Sequence, residues 1–487
     1  MKSSFLAFLK KLPNEKYLFW LTLLFYFTLL IANPSNKVIA SAFMVFFLVL
    51  YLKIKNFSLS LLFVFIASLI IKTGKSYPIQ LLPTGVFPEE IFPQGYFVHL
   101  VVTASHIISF AMLVYLIREF LLKKIDIRKL KINVADILVL VFFILKILSA
   151  IIGSREPQLS LVFEILSMPC LILYFYIRFL VKIDARFWKM LVFILCGLVV
   201  FESLLSFSQL MAKSPLYKNL EFQVNIEYFG KAIDEPEFTF RPVGTFDHAN
   251  ALGIWLASTL VFLFAFIAKD KSDILWLSFL IGFFGLVTTI SRSAWLGFFV
   301  GIVTLLFLGK RARINLKFFL GKVWRWRIFL VPSFIFSFFF FIIPRIEKSF
   351  YSFGQSAGAL FYRRIQIQDA LEIIKLHPFF GVGALMGVYE GLFLDFYTVA
   401  ASIPLAVHNW FLFIALENGL LTLFAFIFFV LLSVRNFWYI SKKLKPEFLG
   451  TFLAVLCLFV VAIFQPYMNS VFIFLLLSAT NSDIIRS

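Results

Sequence analysis

Apolar runs long enough to cross a lipid bilayer recur from Tyr17 almost to the end of the chain, and they restrict its fold more than any other feature. The chain is 61% hydrophobic and 15% charged, whereas soluble domains contain roughly 45–50% apolar and about 25% charged residues. The pattern predicts an all-α, polytopic helical membrane protein with about 12–14 transmembrane helices and a large external loop. The runs cover approximately residues 17–33, 37–52, 57–72, 97–117, 134–152, 158–181, 188–212, 246–268, 272–290, 293–309, 328–343, 408–434, 448–464 and 470–483.

Basic residues between the runs orient the chain. With a cytoplasmic N-terminus, the strongest basic clusters, within 123–131, 310–327 and 442–445, all fall in cytoplasmic segments, and most acidic residues fall on the other side. This topology accounts for the formal net charge of +19, so we expect no nucleic-acid partner. We expect a multi-pass protein of the cell (inner or cytoplasmic) membrane.

Three external segments, 73–96, 213–245 and 344–407, are too long to be turns, while the cytoplasmic loops are short. Functional residues concentrate on long loops that a rigid scaffold positions, so we expect the active site on the periplasmic or extracellular side. The expected organisation is N-terminal transmembrane helices in 1–240, a core in 241–434 that includes the loop 344–407, and a C-terminal helical hairpin in 435–487.

The loop 344–407 carries the most informative pattern. Apolar and polar positions alternate with helical spacing over 356–376, which predicts an amphipathic helix. The helix should stop before Pro378, because a proline disfavours helical geometry in the residue that precedes it. Glycines at 381 and 383 then predict a tight turn.

The predicted amphipathic helix carries two adjacent arginines, Arg363 and Arg364. Guanidinium is permanently charged and matches phosphate oxygens with two parallel hydrogen bonds, so the pair is a candidate diphosphate clamp. The alternatives are contact with lipid headgroups and surface ion pairs with Asp369 or Glu372 on the same helix.

His408 and Asn409 lie where the next apolar run begins. An imidazole can titrate near neutral pH, so His408 is a candidate general base. The alternative is an interfacial histidine that neighbouring backbone groups bind.

Two further motifs place arginines on the same side of the membrane. Arg292 lies in the short turn Ser291-Arg292-Ser293 between two runs, and Arg241-Pro-Val-Gly-Thr-Phe with His248 precedes another run. A charge at this depth is costly unless it is paired or faces a wet cavity. Together with the loop residues, these side chains predict an anion site beside a base; the alternatives are snorkelling of Arg292 to headgroups and a simple interface turn at Arg241.

Polar residues also occur inside the apolar runs. Such residues are functional candidates, but pairing between helices explains them equally well. They are His106, Lys146, Glu164, Glu202, Gln209 and Glu417.

The ordered set of motifs, over about residues 240–420, resembles O-antigen ligases and O-antigen polymerase-like membrane proteins. The set consists of Arg241-Pro-Val-Gly-Thr-Phe with His248-Ala-Asn, Ser291-Arg292-Ser293, Arg363-Arg364 followed by His377-Pro-Phe-Phe-Gly-Val-Gly383, and His408-Asn409 followed by Glu417-Asn-Gly419.

The resemblance implies a helical fold of the glycosyltransferase C type and an enzyme that needs neither metal nor nucleotide, without a cofactor. The donor would be a glycan on undecaprenyl diphosphate, and the acceptor a lipid or another glycan, in contact with membrane lipids. By motif, His408, Arg292 and either Arg363 or Arg364 would be catalytic. We expect Arg241, His248 and Asn409 to bind substrate.

Three alternatives to a ligase remain. The first is an O-antigen or exopolysaccharide polymerase, which shares the motifs. The second is a protein oligosaccharyltransferase of the same superfamily, and the third is a transporter of small anions or lipid-linked glycans. A transporter should show broken helices at mid-membrane and a polar path, whereas the arginines here cluster at one face, which favours an enzyme.

Overall fold

The computed structural model describes residues 15–71, 74–82, 96–122, 132–214, 216, 241–267, 272–308, 343, 359–387, 407–440, 445–466 and 470–486. The helices are α1 (Lys16–Ala32), α2 (Asn36–Ile54), α3 (Phe57–Ser68), α4 (Ala104–Leu121), α5 (Val134–Leu148), α6 (Pro157–Ser167), α7 (Pro169–Leu180), α8 (Ala185–Ala212), α9 (Ala249–Ile267), α10 (Asp273–Thr288), α11 (Arg292–Leu308), α12 (Ala359–Leu376), α13 (Trp410–Ile440), α14 (Pro446–Ala462) and α15 (Ser470–Arg486). A π-helical turn (Ser149–Gly153) continues α5, and the strands are β1 (Gly74–Leu82) and β2 (Tyr96–Thr103).

The helices confirm the prediction of a polytopic, all-α membrane protein. Within the described residues, seven helical segments are long and apolar enough to cross a membrane, and six shorter apolar helices accompany them. Each predicted apolar run overlaps one of these helices, except 328–343, which lies outside the described residues apart from Ile343. Helices α8 and α9 are almost wholly buried inside the protein, while α2 and α4 turn most of their residues outwards.

The predicted run at 97–117 begins incorrectly, because its first residues form a strand. β2 pairs antiparallel with β1, from Gly74 opposite Thr103 to Leu82 opposite Tyr96, and α4 starts only at Ala104. Residues 96–103 are rich in β-branched and aromatic side chains, which favour a strand. His106 has a structural role here, since its Nδ1 accepts the Thr103 N–H (3.1 Å) at the start of α4.

Helix α13 is broken at Gly419, where φ is 82° and ψ is 165°. This conformation is essentially confined to glycine. Backbone groups freed by a break inside a membrane must find partners within the protein, and the loop after α12 supplies them. The bonds, donor first, are Val382 to Leu416 (3.0 Å), Gly383 to Glu417 (2.8 Å) and Leu420 to Pro378 (2.8 Å).

Polar side chains hold both sides of this break. The Lys146 Nζ lies 2.7 Å from the Glu164 carboxylate, and Asn418 donates from Nδ2 to the other Glu164 oxygen (2.7 Å). The Glu417 side chain accepts the N–H of Leu385 (2.9 Å). These intramembrane polar residues therefore have structural partners, which join α5 and α6 to α13 and to the loop.

The loop 377–387 fixes the position of α12. The helix ends at Leu376, as the following proline predicts, and the next residues dock directly into the break of α13. Helix α12 packs against α13, and its buried face includes Gln366, Ala370 and Ile373. The amphipathic helix predicted from the sequence is thus confirmed, and it is held at both its face and its end.

We expect Gly419→Ala to destabilise the protein by about 2 kcal/mol or more. The conformation of Gly419, which is essentially confined to glycine, costs other residues roughly 1–3 kcal/mol. In addition, the new Cβ would collide with the Phe379 carbonyl oxygen. The thermal midpoint of purified protein in detergent measures this. The matched control is Gly387→Ala, whose new Cβ would come closest to a movable methyl of Leu416 and meets no backbone atom among its nearest neighbours. Equal midpoints for the two variants would contradict the prediction.

Candidate active site

Two polar residues of α8 hold the loop that leads into α9. The Gln209 amide donates to the Gly244 carbonyl (2.9 Å) and accepts the N–H groups of Val243 (3.1 Å) and Gly244 (2.8 Å). The Glu202 carboxylate accepts the N–H (3.1 Å) and the hydroxyl (2.5 Å) of Thr245. Both side chains are fully buried. These bonds reach the backbone and a hydroxyl of the loop, so Glu202 and Gln209 fix the segment that carries Arg241 and His248.

Arg241 joins this loop to the turn between α10 and α11. Its Nε donates to the Thr289 carbonyl (3.1 Å), and its Nη2 donates to Asn250 Oδ1 (2.7 Å). The turn contains Ile290 at φ 51°, a left-handed conformation that costs a β-branched residue about 1–2 kcal/mol. The turn that points the Thr289 carbonyl at the Arg241 guanidinium is thus strained at Ile290.

A chain of amide hydrogen bonds continues from Asn250 to the turn that carries Arg292. Asn250 donates from Nδ2 to Gln465 Oε1 (3.0 Å), and Gln465 donates from Nε2 to the Ser293 hydroxyl (3.0 Å). The Ser293 hydroxyl lies 3.5 Å from that of Ser291. Arg292 begins α11 between these two serines, and its side chain is exposed.

His248 lies close enough to Arg241 and His408 for both to disfavour a positive charge on its ring. Its Nδ1 accepts the N–H of Asn250 (2.9 Å). The pKa of His248 is lowered from its ordinary value of 6.5 to about 4, mainly because burial disfavours the charged ring, and further because Arg241 and His408 lie nearby. His248 is therefore neutral at physiological pH, with its ring proton on Nε2.

The two adjacent arginines of α12 lie on different faces. Arg363 is half-buried and precedes Gln366 by three residues, so both lie on the face that packs into the protein. Gln366 is 7% exposed, and its Oε1 lies 3.0 Å from His408 Nδ1. Arg364 is exposed on the other side of the helix.

The surface ion pairs considered from the sequence are not formed by Arg364. Glu372 binds Lys375 instead, at 2.6 Å. The Asp369 Oδ2 is buried with no hydrogen-bond partner among the described residues, and burial raises the pKa of this carboxyl. The headgroup and diphosphate interpretations of the arginine pair remain.

Asn409 has a local structural role beside His408. Its Oδ1 accepts the N–H of Leu412 (3.0 Å), which caps the start of α13. The cap sets where the helix begins and hence where the preceding His408 lies. A contact between Asn409 and substrate stays a prediction.

The structure thus brings together four segments that are far apart in the chain: the loop 241–250, the turn 289–293, α12, and residues 407–409. Sequence analysis assigned no role to three amides of the site, Asn250, Gln366 and Gln465, although Asn250 stands in the motif His248-Ala-Asn. The spacing of Arg363 and Gln366 by three residues on a predicted amphipathic helix was the available signal for Gln366. Among the residues that the structure describes, no three His, Cys, Asp or Glu side chains form a cluster that could hold a metal ion.

Comparison with protein families gives one match. Residues 277–427 match the family described as O-antigen ligase. This segment is therefore similar to O-antigen ligases. The matched segment includes Arg292, Arg363, Arg364 and His408, while Arg241 and His248 precede it. No curated protein matches the sequence significantly.

The match confirms the resemblance that the motifs predicted. The O-antigen ligase family consists of membrane proteins that act in polysaccharide biosynthesis, with glycosyl transfer of the ligase or polymerase type. The matched segment runs from within α10 to within α13, so it contains the break at Gly419 and the helix α12 that docks beside it.

His248→Gln should make the protein less sensitive to acid. Because the pKa of His248 is lower in the folded protein than its ordinary value of 6.5, its contribution to stability is complete above pH 6.5 and is lost as the pH falls towards 4. The thermal midpoint of the wild type minus that of the variant should therefore be constant above pH 6.5 and decline between pH 6.5 and 4. A difference that does not change with pH would contradict the lowered pKa.

Proposed function

We propose that the protein transfers a glycan from undecaprenyl diphosphate to a lipid or glycan acceptor at the external face of the cell membrane, as O-antigen ligases do. One observation carries the proposal beyond the family match. His408 contacts Gln366, which lies on the same face of α12 as Arg363, and His408 is close enough to His248 to affect the pKa of its ring. A base and fixed cations around one space suit a reaction with a diphosphate leaving group.

In this proposal, the diphosphate lies between Arg292 and Arg363, and Arg241 lies against the turn that carries Arg292. Arg363 is favoured over Arg364 because it shares a face with Gln366, which contacts His408. Arg241 is held by Thr289 and Asn250, so it shapes the site and adds positive potential. Guanidinium groups held in place before the reaction stabilise the charge that develops on the leaving diphosphate.

His408 acts as the general base. Its Nε2 accepts the proton of the acceptor hydroxyl while the hydroxyl oxygen attacks the anomeric carbon. The bond from this carbon to the diphosphate oxygen breaks, and undecaprenyl diphosphate leaves with both bonding electrons. Proton transfer of this kind contributes roughly 10²- to 10⁴-fold to the rate.

An apolar cavity supports a lipid-linked donor. It has a volume of about 220 Å³ and lies beside His248, since Phe246 and Asp247 form part of its wall. The rest of its lining is mostly apolar and includes Leu195, Trp255 and Phe472. Such a cavity suits the first isoprene units of the carrier.

A transporter is the alternative from another class, and the break in α13 is a feature that transporters use to bind substrate. Here the protein itself occupies the break: the loop 378–385 bonds to Leu416, Glu417 and Leu420. A substrate could bind these groups only after the loop left. We therefore favour the enzyme; the polymerase and the protein oligosaccharyltransferase share this architecture and remain alternatives within it.

His408→Ala should lower turnover by roughly 10²- to 10⁴-fold, because the general base is lost, and should leave donor binding intact. Release of undecaprenyl diphosphate from a lipid-linked oligosaccharide in liposomes measures turnover, and equilibrium binding of the same donor is the second measurement. A normal thermal midpoint shows that the variant is folded. Unimpaired turnover would remove His408 from the mechanism.

Arg363→Ala should lower donor affinity or turnover about 10- to 100-fold, since a charge-assisted hydrogen bond contributes roughly 1.5–3 kcal/mol. Arg364→Ala is the matched control on the same helix and should stay within about threefold of the wild type, because its side chain lies on the exposed face. A larger loss in the Arg364 variant would reverse the assignment.

Product analysis of the wild type distinguishes the candidate functions. The purified protein in liposomes receives an undecaprenyl-diphosphate oligosaccharide and candidate acceptors. One glycan block on a foreign acceptor identifies a ligase, a ladder of repeats on the carrier identifies a polymerase, and glycan on a peptide identifies an oligosaccharyltransferase. Movement of the donor across sealed vesicles without transfer would overturn the proposed enzyme.

A further inference from the structure

The two histidines of the site have different hydrogen-bond partners: Nδ1 of His248 faces a donor, and Nδ1 of His408 faces an acceptor. His248 Nδ1 faces the backbone N–H of Asn250 at 2.9 Å. An N–H can only donate, so this nitrogen accepts, and the proton of the neutral ring is on Nε2. His408 Nδ1 faces the side-chain oxygen of Gln366 at 3.0 Å. An amide oxygen can only accept, so here Nδ1 carries the proton, and the basic lone pair of the neutral ring is on Nε2.

Gln366 is itself held firmly enough to impose this tautomer. It is 7% exposed on the face of α12 that packs into the protein. The helix is pinned at its end, where the loop after Leu376 docks into the break of α13. A buried amide is costly unless it is hydrogen-bonded, and His408 is the partner that Oε1 has in the structure.

We propose that Gln366 is a positioning residue, which holds the proton of His408 on Nδ1 so that Nε2 is the basic atom that meets the acceptor hydroxyl. The proposal rests on the proposed glycosyl transfer for its kinetic consequence, but the tautomer itself is independent of any activity. His248, with its proton on Nε2, provides a neutral N–H donor at the same site, so neighbouring rings have opposite hydrogen-bonding roles.

The choice of glutamine has a further consequence. An amide oxygen orients the ring without adding a negative charge beside it, whereas a carboxylate would stabilise the imidazolium form. The segments around His408 carry further charged and titratable groups. They include Arg363, Arg364, Asp369, Glu372 and Lys375 on α12, Arg241, Asp247 and His248 on the loop, Arg292 on the turn, and Glu417 on α13. Gln366→Glu alters the charge at the ring itself and leaves all of these in place.

The first experiment reads the tautomers directly. The protein is labelled with ¹⁵N-imidazole histidine in lipid nanodiscs, and the His408 and His248 signals are assigned by their loss in His408→Asn and His248→Asn. We expect Nδ1–H in His408 and Nε2–H in His248. In Gln366→Leu, which keeps the size but removes the acceptor, His408 should shift towards Nε2–H while His248 stays unchanged. Nε2–H in wild-type His408, or no change in Gln366→Leu, would overturn the proposal.

The second experiment measures transfer as a function of pH. Gln366→Leu should lower kcat at least about 10-fold with little change in donor KM, because His408 then carries its proton on Nε2 and cannot accept another there, while the binding groups stay. Gln366→Glu should retain activity and move the acidic limb of the pH profile upwards by about one unit or more. The matched control is Gln368→Leu, the same change on the exposed face of α12, which should leave the profile unchanged.

The outcomes separate the two proposals. A wild type that transfers glycan, together with a Gln366→Leu variant of unchanged kcat, overturns the role of Gln366 and leaves the proposed function intact. A wild type without transfer activity overturns the proposed function, while the nuclear magnetic resonance result still decides the tautomer. A Gln366→Glu variant whose pH profile matches that of the wild type also overturns the positioning role, because a purely structural glutamine would give that result.

Discussion

Backbone groups released inside the membrane must be bonded within the protein, and the rest of the site depends on how α13 satisfies this requirement. The break at Gly419 exposes carbonyl and N–H groups, and the loop 378–385 binds them. Because this loop directly follows α12, the break determines where α12 lies. The position of α12 in turn brings Gln366 to His408. A local defect in one helix thus organises residues that lie more than forty positions apart.

Amide side chains connect two of the segments that carry the charged residues of the site. Asn250 and Gln465 link Arg241 to the turn that carries Arg292, and Gln209 holds the loop before them. These amides fix the geometry of the loop and the turn without adding negative charge beside the arginines. In the proposed reaction, electrostatic preorganisation of this kind costs no rearrangement.

Much of this protein was predictable from particular residues. The apolar runs predicted the helices, Pro378 predicted the end of α12, and the glycines after it predicted the turn, where φ is 68° at Gly381 and 89° at Gly383. The strand at 96–103 was missed because a short apolar run rich in β-branched residues does not distinguish helix from strand. The roles of Glu202, Gln209 and Lys146 were undecided, because a polar residue in an apolar run needs a partner and the sequence does not say which.

The sequence by itself determined that the helices lie in lipid, where they approximately begin and end, which segments hold the candidate site residues, and which family they resemble. Hydrophobic periodicity and short motifs are local properties, so the sequence alone reveals them. The tertiary structure decided which arginine of the adjacent pair faces inwards, which nitrogen of each histidine carries the proton, and which amides join the motifs. These properties depend on contacts between segments distant in the chain. Hydrogen bonds are directional and short, so only the packed helices determine which donor meets which acceptor.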